Sequence, residues 1–241
     1  MNDITCIIQA RMSSERLPGK VLRTISDIPL LEYQLTRLRE SGLFRVVVAT
    51  SDLEADQALA DYCQQQHHEV FRGNEQNVMK RFYDCARALN LEPTSKIVRL
   101  TGDCPLSCPE LIVNLNRHYE ATSSDYVRID TDTYPRGVDA ELFTFAMLVE
   151  ANETADTSFE QEHVTPYFYQ SDRYRVSHLK NPRGNHASYR LCVDEMADFE
   201  CVTEVIRNLG DNWATATYED IIHVLQANPD IANINGTVKQ R

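Results

Sequence analysis

The stretch IIQARMSSERLPGKVL, residues 7–22, limits what this chain can fold into more than any other. An apolar run carrying Ile4, Cys6, Ile7 and Ile8 stops abruptly, and a polar segment with Arg11, Arg16 and Lys20 follows, closed by Pro18-Gly19. Apolar character returns at Val21 and Leu22. A buried strand that runs into a cation-bearing loop reads as a phosphate site, because open parallel sheets bind ligands beyond the carboxyl ends of their strands. The two arginines can fork onto phosphate oxygens, and the lysine adds a point charge. A solvated basic loop would have the same composition, so the reading needs support from the rest of the chain.

The net charge of −12 over 241 residues excludes a protein that coats nucleic acid, which needs a basic surface. It also means that an anionic ligand must be drawn in by local cations against an unfavourable overall field. The length suffices for a substantial core in one or two domains. Seven cysteines form no regular framework, and the close pair Cys104 and Cys108 has no second pair at zinc spacing. Free, buried thiols in a reducing cytosol are expected. No signal-type stretch and no run of membrane-spanning length is visible, so the expectation is a soluble, cytoplasmic protein with no membrane and no nucleic-acid partner.

Strands alternate with helices through the first half. Strands are expected at 3–9, 44–50, 70–71 and 97–101. Pro29 fits the first turn of a helix whose apolar positions are Leu30, Leu31, Leu35 and Leu38. Ser51 or Asp52 is expected to cap the next helix, with Glu54 and Asp56 in its first turn. An amphipathic helix is expected over 75–89, and Pro109 begins another. This order implies a parallel sheet covered on both faces. After about residue 124 the pattern changes. Short strands are expected at 125–129, 138–143, 174–179 and 189–193, and helices up to about residue 152 and at 160–170, 197–208 and 218–227. With no linker in sight, residues 1–241 read as a single domain in which about 125–185 add a small lobe.

Two aspartates stand where an α/β site is expected. Asp103 follows a buried strand in RLTGDCPL, and Gly102 permits close backbone approach. Beside a cationic phosphate loop, a hard oxygen ligand points to Mg²⁺. Asp194 repeats the logic in YRLCVDEMADFE, so the two could share metal. Either could equally be a turn or helix-capping residue. Asp139 and Glu141 alternate on one face of a short strand and could bind sugar hydroxyls or be solvated. Glu162 and His163 sit in a helix start, where a structural role is as good an account. No dinucleotide fingerprint or P-loop is present, and Ser13-Ser14 lacks a partnered histidine at recognisable spacing, so no serine nucleophile is expected.

The first motif, then RLTGDCPL, YPRGVDAELFT, EQEHVTPYF and VDEMADFE, occur in an order that resembles the cytidylyltransferases of the spore-coat polysaccharide synthesis protein F group. The resemblance extends more distantly to the CMP-Kdo and CMP-acylneuraminate synthetases and covers about residues 3–238. It implies a three-layer α/β/α sandwich of nucleotide-diphospho-sugar transferase type with a mixed, mostly parallel sheet. It implies that a nucleoside triphosphate, CTP, gives its nucleotidyl group to a sugar acceptor of the acidic keto-deoxy class and releases pyrophosphate. By motif, Arg11, Arg16 and Lys20 hold the triphosphate, and Arg11, Lys20 and Asp103 are the catalytic candidates. Asp103 and Asp194 are the Mg²⁺ ligands. Arg72, Gly73, Asn77 and Arg81 fall in the base and ribose region. Asp139, Glu141, Glu162 and His163 fall where the acceptor belongs. The second-half insertion resembles a dimer arm, which implies a homodimer.

Two departures from the family's pattern are visible. Ser107-Cys108 precedes Pro109 where an Asp is usual, and Glu195-Met196-Ala197-Asp198 replaces Thr-Pro-Glu-Asp. The first is expected to weaken a supporting hydrogen bond, the second to change a helix start. A glycosyltransferase using a nucleotide-sugar donor is the alternative, but its Asp-x-Asp metal motif matches poorly: Asp130-Thr131-Asp132 lies in an expected loop. A non-catalytic nucleotide-binding homologue is the third reading, opposed by the retention of Arg11, Lys20, Asp103 and Asp194.

Overall fold

The computed structural model describes residues 4–239, so the expected strand start at residue 3 lies outside the described residues. The chain runs β1 (Ile4–Gln9), β2 (Thr24–Ile25), β3 (Ile28–Pro29), α1 (Leu30–Glu40), β4 (Arg45–Ser51), α2 (Gln57–Gln65) and β5 (Glu69–Gly73). It continues with α3 (Val78–Ala88), β6 (Lys96–Thr101), α4 (Pro109–Thr122), β7 (Tyr126–Ile129), β8 (Glu141–Thr144) and α5 (Phe145–Thr154). It ends with α6 (Ser158–His163), α7 (Pro166–Tyr169), β9 (Val176–Leu179), α8 (Met196–Leu209), α9 (Tyr218–Ala227) and α10 (Pro229–Asn233).

Seven strands form one sheet in the order β5-β4-β1-β6-β8-β7-β9. β5, β4, β1 and β6 run parallel, β8 is antiparallel to both its neighbours, and β7 and β9 pair parallel. The sheet divides the core because side chains alternate across it. Cys6, Ile8, Val48, Val98 and Leu142 face α1, α2, α4, α8 and α9. Ile7, Val47, Ala49, Ile97 and Phe143 face α3, α5 and α7. Strands covered on both faces read as continuous apolar runs, which is why β1, β4 and β6 are so plain in the sequence. The carboxyl ends of β1 and β6 lie side by side, with Gln9 opposite Thr101, and the loops that leave them share one edge of the sheet.

Several elements differ from the sequence expectation. Residues 189–193 form no strand, only an isolated bridge between Arg136 and Arg190. The 160–170 helix breaks into α6 and α7 at Val164. The 138–143 strand starts at Glu141, because Arg136 to Asp139 turn on themselves, with the Gly137 N–H donating to Asp139 at 2.6 Å. α2 starts six residues after Ser51, behind a short 3-10 turn over Glu54–Asp56. Pro29 precedes α1 and ends a two-stranded hairpin whose turn residues, Ser26 and Asp27, both have positive φ.

Candidate functional site

The loop after β1 is pinned from below. The Met12 N–H donates to Asp56 Oδ1 at 2.6 Å, and the Gly19 N–H donates to Met12 O at 2.9 Å. Asp56 is buried and also accepts from the Ser51 N–H and hydroxyl. Gly19, at φ +68°, starts a tight turn that sends Lys20 inward. Lys20 Nζ donates to Asp103 Oδ2 at 2.8 Å, Asp194 Oδ1 at 3.0 Å and Val193 O at 2.6 Å. Burial works against the charged amine, but Asp103 and Asp194 outweigh it and hold its pKa above the ordinary lysine value.

Asp103 owes its position to Gly102. A Cβ on Gly102 would lie 2.8 Å from the Ala10 Cβ, so only glycine lets the exit of β6 cross the exit of β1 this closely. The Val193 N–H donates to Asp103 O at 2.8 Å and brings the second aspartate alongside. Asp194 receives Arg190 at 2.7 Å and Arg16 at 3.0 Å as well as Lys20. Desolvation would raise its pKa, but these three cations hold it below the usual carboxylate value. The start of α8 needs nothing from the Asp194 carboxylate. Buried Asp198 reaches back instead and accepts the N–H groups of Asp194 and Glu195, both at 3.0 Å. The second motif departure therefore keeps a helix start built on Asp198. At the first departure, Cys108 gives α4 no side-chain cap and contacts Arg37 instead.

Two clefts meet at these groups. The smaller, about 220 Å³, is lined by Gln9, Arg11, Ser13, Ser14, Lys20 and Asp103 among others. The larger, about 540 Å³, includes Arg99, Arg128, Arg136, Asp139, Glu141 and His163, together with Asp103 and Asp194. Asp103 and Thr101 belong to both. Glu141 is held by Arg99 at 2.6 Å and by the hydroxyls of Tyr126 and Thr165 at 2.6 and 2.8 Å. Burial opposes its charge, but Arg99 and these hydroxyls prevail and its pKa is lowered.

The structure thus gathers Arg11, Arg16, Lys20, Asp103 and Asp194 at one edge, and Asp139, Glu141 and His163 in the larger cleft. It separates others from both clefts. Arg72 donates to the carbonyls of Ser51 and Leu53 and to Gln57. Asn77 caps α3 by accepting from the Lys80 N–H at 2.8 Å. Arg81 is fully buried beside Gly73 and donates to the carbonyls of Asn74 and Glu75, its pKa lowered to about 10 by burial and then by Arg11. Glu162 is exposed and lines neither cleft. Sequence reasoning missed Asp56, Asp198, Arg99 and Arg128. The last two leave a trace, as arginines inside the strand segments KIVRLT and YVRI.

Among the described residues no cluster of three or more His, Cys, Asp or Glu could hold a metal. Asp103 and Asp194 offer two hard carboxylates, a set that suits Mg²⁺, which takes one or two protein carboxylates and completes its shell with phosphate and water. It does not suit a closed zinc site.

A mostly parallel sheet, a cationic loop after its first strand and a strand-end acid shared by two clefts place the molecule among nucleotidyltransferases of the nucleotide-diphospho-sugar transferase fold. The chain belongs to the cytidylyltransferase family, whose model matches residues 5–234. The spore coat polysaccharide biosynthesis protein SpsF of Bacillus subtilis is 37% identical over 241 residues, covering 96% of this chain and 98% of that protein. The 3-deoxy-manno-octulosonate cytidylyltransferase of Marinobacter nauticus is 38% identical over 123 residues, 48% of this chain and 46% of that enzyme. A cytidylyltransferase structure from Leptospira borgpetersenii matches with TM-score 0.89 and 28% identity over 100% of both chains. CMP:2-keto-3-deoxy-manno-octonic acid synthetase complexed with CTP shares the fold, with TM-score 0.61 and 17% identity over 85% of this chain and 98% of that one. No described helix is long and apolar enough to cross a membrane.

Proposed function

We propose that the chain transfers the cytidylyl group of CTP to a hydroxyl of an acidic keto-deoxy sugar, releasing pyrophosphate, in the making of a surface polysaccharide. The observation that carries this reading is Asp103 on the wall common to both clefts, joined to Asp194 through Lys20. Nucleotidyl transfer requires the attacking oxygen, the α-phosphorus and the leaving pyrophosphate roughly in line. Two clefts that meet at one carboxylate suit such a line. In this reading Arg11, Arg16 and Lys20 hold phosphate oxygens and neutralise charge developing on the pyrophosphate. Asp139, Glu141 and His163 orient the acceptor. Arg72 and Arg81 brace the loops after β4 and β5 from outside both clefts, and residues 125–185 serve as acceptor wall and dimer arm.

The charges argue for a divalent cation. Four cations, Arg11, Arg16, Lys20 and Arg190, already face five carboxylates, Glu75, Glu195, Asp103, Asp194 and Asp198, a local balance of 4 − 5 = −1 before any triphosphate arrives. Mg²⁺ held by Asp103 and Asp194 would neutralise phosphate charge and lower the pKa of the acceptor hydroxyl. The Asp-x-Asp alternative gains no support, since Asp130 accepts the Asp132 N–H at 3.0 Å and so supports its own turn.

Pyrophosphate release with CTP, UTP, ATP or GTP and a panel of sugar acids tests the reading. CTP-selective release is expected. Asp103→Ala and Asp194→Ala should each lose about a thousandfold or more in turnover, with far-UV circular dichroism unchanged. Near-normal rates in either variant would remove the metal assignment.

A further inference from the structure

Three arginines line the larger cleft, Arg99, Arg128 and Arg136, and of these Arg128 forms no ion pair among the described residues. The pairing register puts Arg99, Glu141, Arg128 and His178 in one row across β6, β8, β7 and β9. Residues directly opposite on neighbouring strands share a face of the sheet. Within that row Arg99 is taken by Glu141 at 2.6 Å, and the remaining Glu141 oxygen by the Tyr126 and Thr165 hydroxyls. The other arginines near the cleft also have acids: Arg136 has Asp139 at 3.8 Å, and Arg190 has Asp194 and Asp198 at 2.7 and 2.9 Å. The Arg128 side chain makes no hydrogen bond and no ion pair among the described residues. Its guanidinium lies over the Tyr169 ring, 5.1 Å from the centroid. Stacking engages only the face of the guanidinium and leaves its in-plane N–H groups free to fork onto an oxyanion. Burial and then Arg128 hold the pKa of the neighbouring His178 below its ordinary value.

We propose that Arg128, steadied by Tyr169, is the residue that selects the acceptor by charge, binding an oxyanion on it, carboxylate or phosphate, while the reacting hydroxyl lies at the Asp103 end of the cleft. The proposal rests on the larger cleft being the acceptor site. It differs from a general basic lining in naming one residue, because Arg99 would have to leave Glu141 and Arg136 already stands beside Asp139 at 3.8 Å.

The test is thermal shift of the full chain with Mg²⁺ and α,β-methylene-CTP, which cannot be cleaved at the α–β linkage. Three probes are titrated in: 3-deoxy-manno-octulosonate as a sugar acid, mannose 1-phosphate as a sugar phosphate, and mannose as the neutral control. One anionic probe should raise the melting temperature of the parent, and mannose should not. Which anion does so separates carboxylate from phosphate. In Arg128→Gln the apparent affinity for that probe should fall about 10- to 100-fold, the range expected for losing a charged hydrogen-bonding partner. Arg128→Lys should fall between, because an ammonium keeps the charge and loses the fork. The shift from the nucleotide analogue alone should persist in both variants. Equal binding of the anionic probe by parent and Arg128→Gln, an equal shift with mannose, or no shift with either anion overturns the proposal. Absence of a nucleotide shift in the parent overturns the cytidylyl-transfer reading as well.

Discussion

Lys20 holds Asp103 and Asp194 together and, in the proposed reaction, binds phosphate, and the substitution Lys20→Met tests both. Its side chain is 10% exposed, and the carboxylates it holds, Asp103 and Asp194, are 23% and 26% exposed. Removing one partner of such a cluster leaves like charges facing each other in a half-buried site. The expected cost is about 3 kcal/mol of unfolding free energy, together with loss of turnover, read by urea denaturation and pyrophosphate release. The pH dependence has a definite sign. Asp194 has a lowered folded-state pKa, so its stabilising contribution is present above the ordinary aspartate value of about 3.9 and is lost as pH falls through the folded value. The stability gap between parent and Lys20→Met should therefore close as pH drops below about 4. A gap that stays constant down to pH 2 would mean that Asp194 is not the coupled group. Lys20 itself was legible from its motif, and so was Asp103. Asp56 and Asp198 were not. Each is an ordinary acid near a helix start, and what sets it apart is burial against a chain segment distant in sequence.

Legibility at the level of elements follows the strength of local patterning. β1, β4 and β6 are apolar runs and could be read directly. The hairpin of β2 and β3 has two residues per strand, too short for periodicity to show. Residues 189–193 are apolar enough for a strand, but they are held by tertiary contact. A Cβ on Gly137 would come within 2.3 Å of the Cys192 nitrogen, so two backbones touch there in place of a ladder. The break between α6 and α7 was also hidden. Val164 sits at φ 67° and ψ −65°, and the Thr165 N–H donates across it to His163 O at 2.8 Å. This is a γ-turn with a positive central φ, a strained conformation for a β-branched residue. It turns the chain between His163 and Thr165, both of which line the larger cleft. The Val164 side chain is fully buried, which retains the strain. Both Val164→Ala and Val164→Gly lose burial worth about 1.5–3 kcal/mol, but only glycine relieves the backbone, by about 1–3 kcal/mol. Glycine should therefore be no worse than alanine here, the reverse of the usual order. Denaturation midpoints would show it, and an alanine variant clearly more stable than the glycine one would refute the strain.

The charge of the whole molecule sets the condition under which a nucleotide can bind. At −12 the protein repels a free nucleoside triphosphate, and the loop proposed to receive it is already neutralised by nearby carboxylates. Free CTP carries about four negative charges near neutral pH, and Mg²⁺ cancels two of them. Coulomb repulsion at long range scales with the product of the charges, so the metal complex meets roughly half the opposing field. At contact, the same ion would take over the compensation of Asp103 and Asp194 that Lys20 now supplies, leaving the lysine available to phosphate. Both effects point the same way. CTP with Mg²⁺ should stabilise the protein far more than CTP alone, through preferential binding to the native state. Because the long-range part is repulsive, added salt should weaken CTP alone less steeply than a basic nucleotide site would. Thermal shifts with and without Mg²⁺ at 20 and 200 mM salt measure both. A shift with CTP alone that equals the shift with Mg²⁺ would mean that the loop cations are free to bind phosphate unaided, and the local balance of −1 would not govern the site.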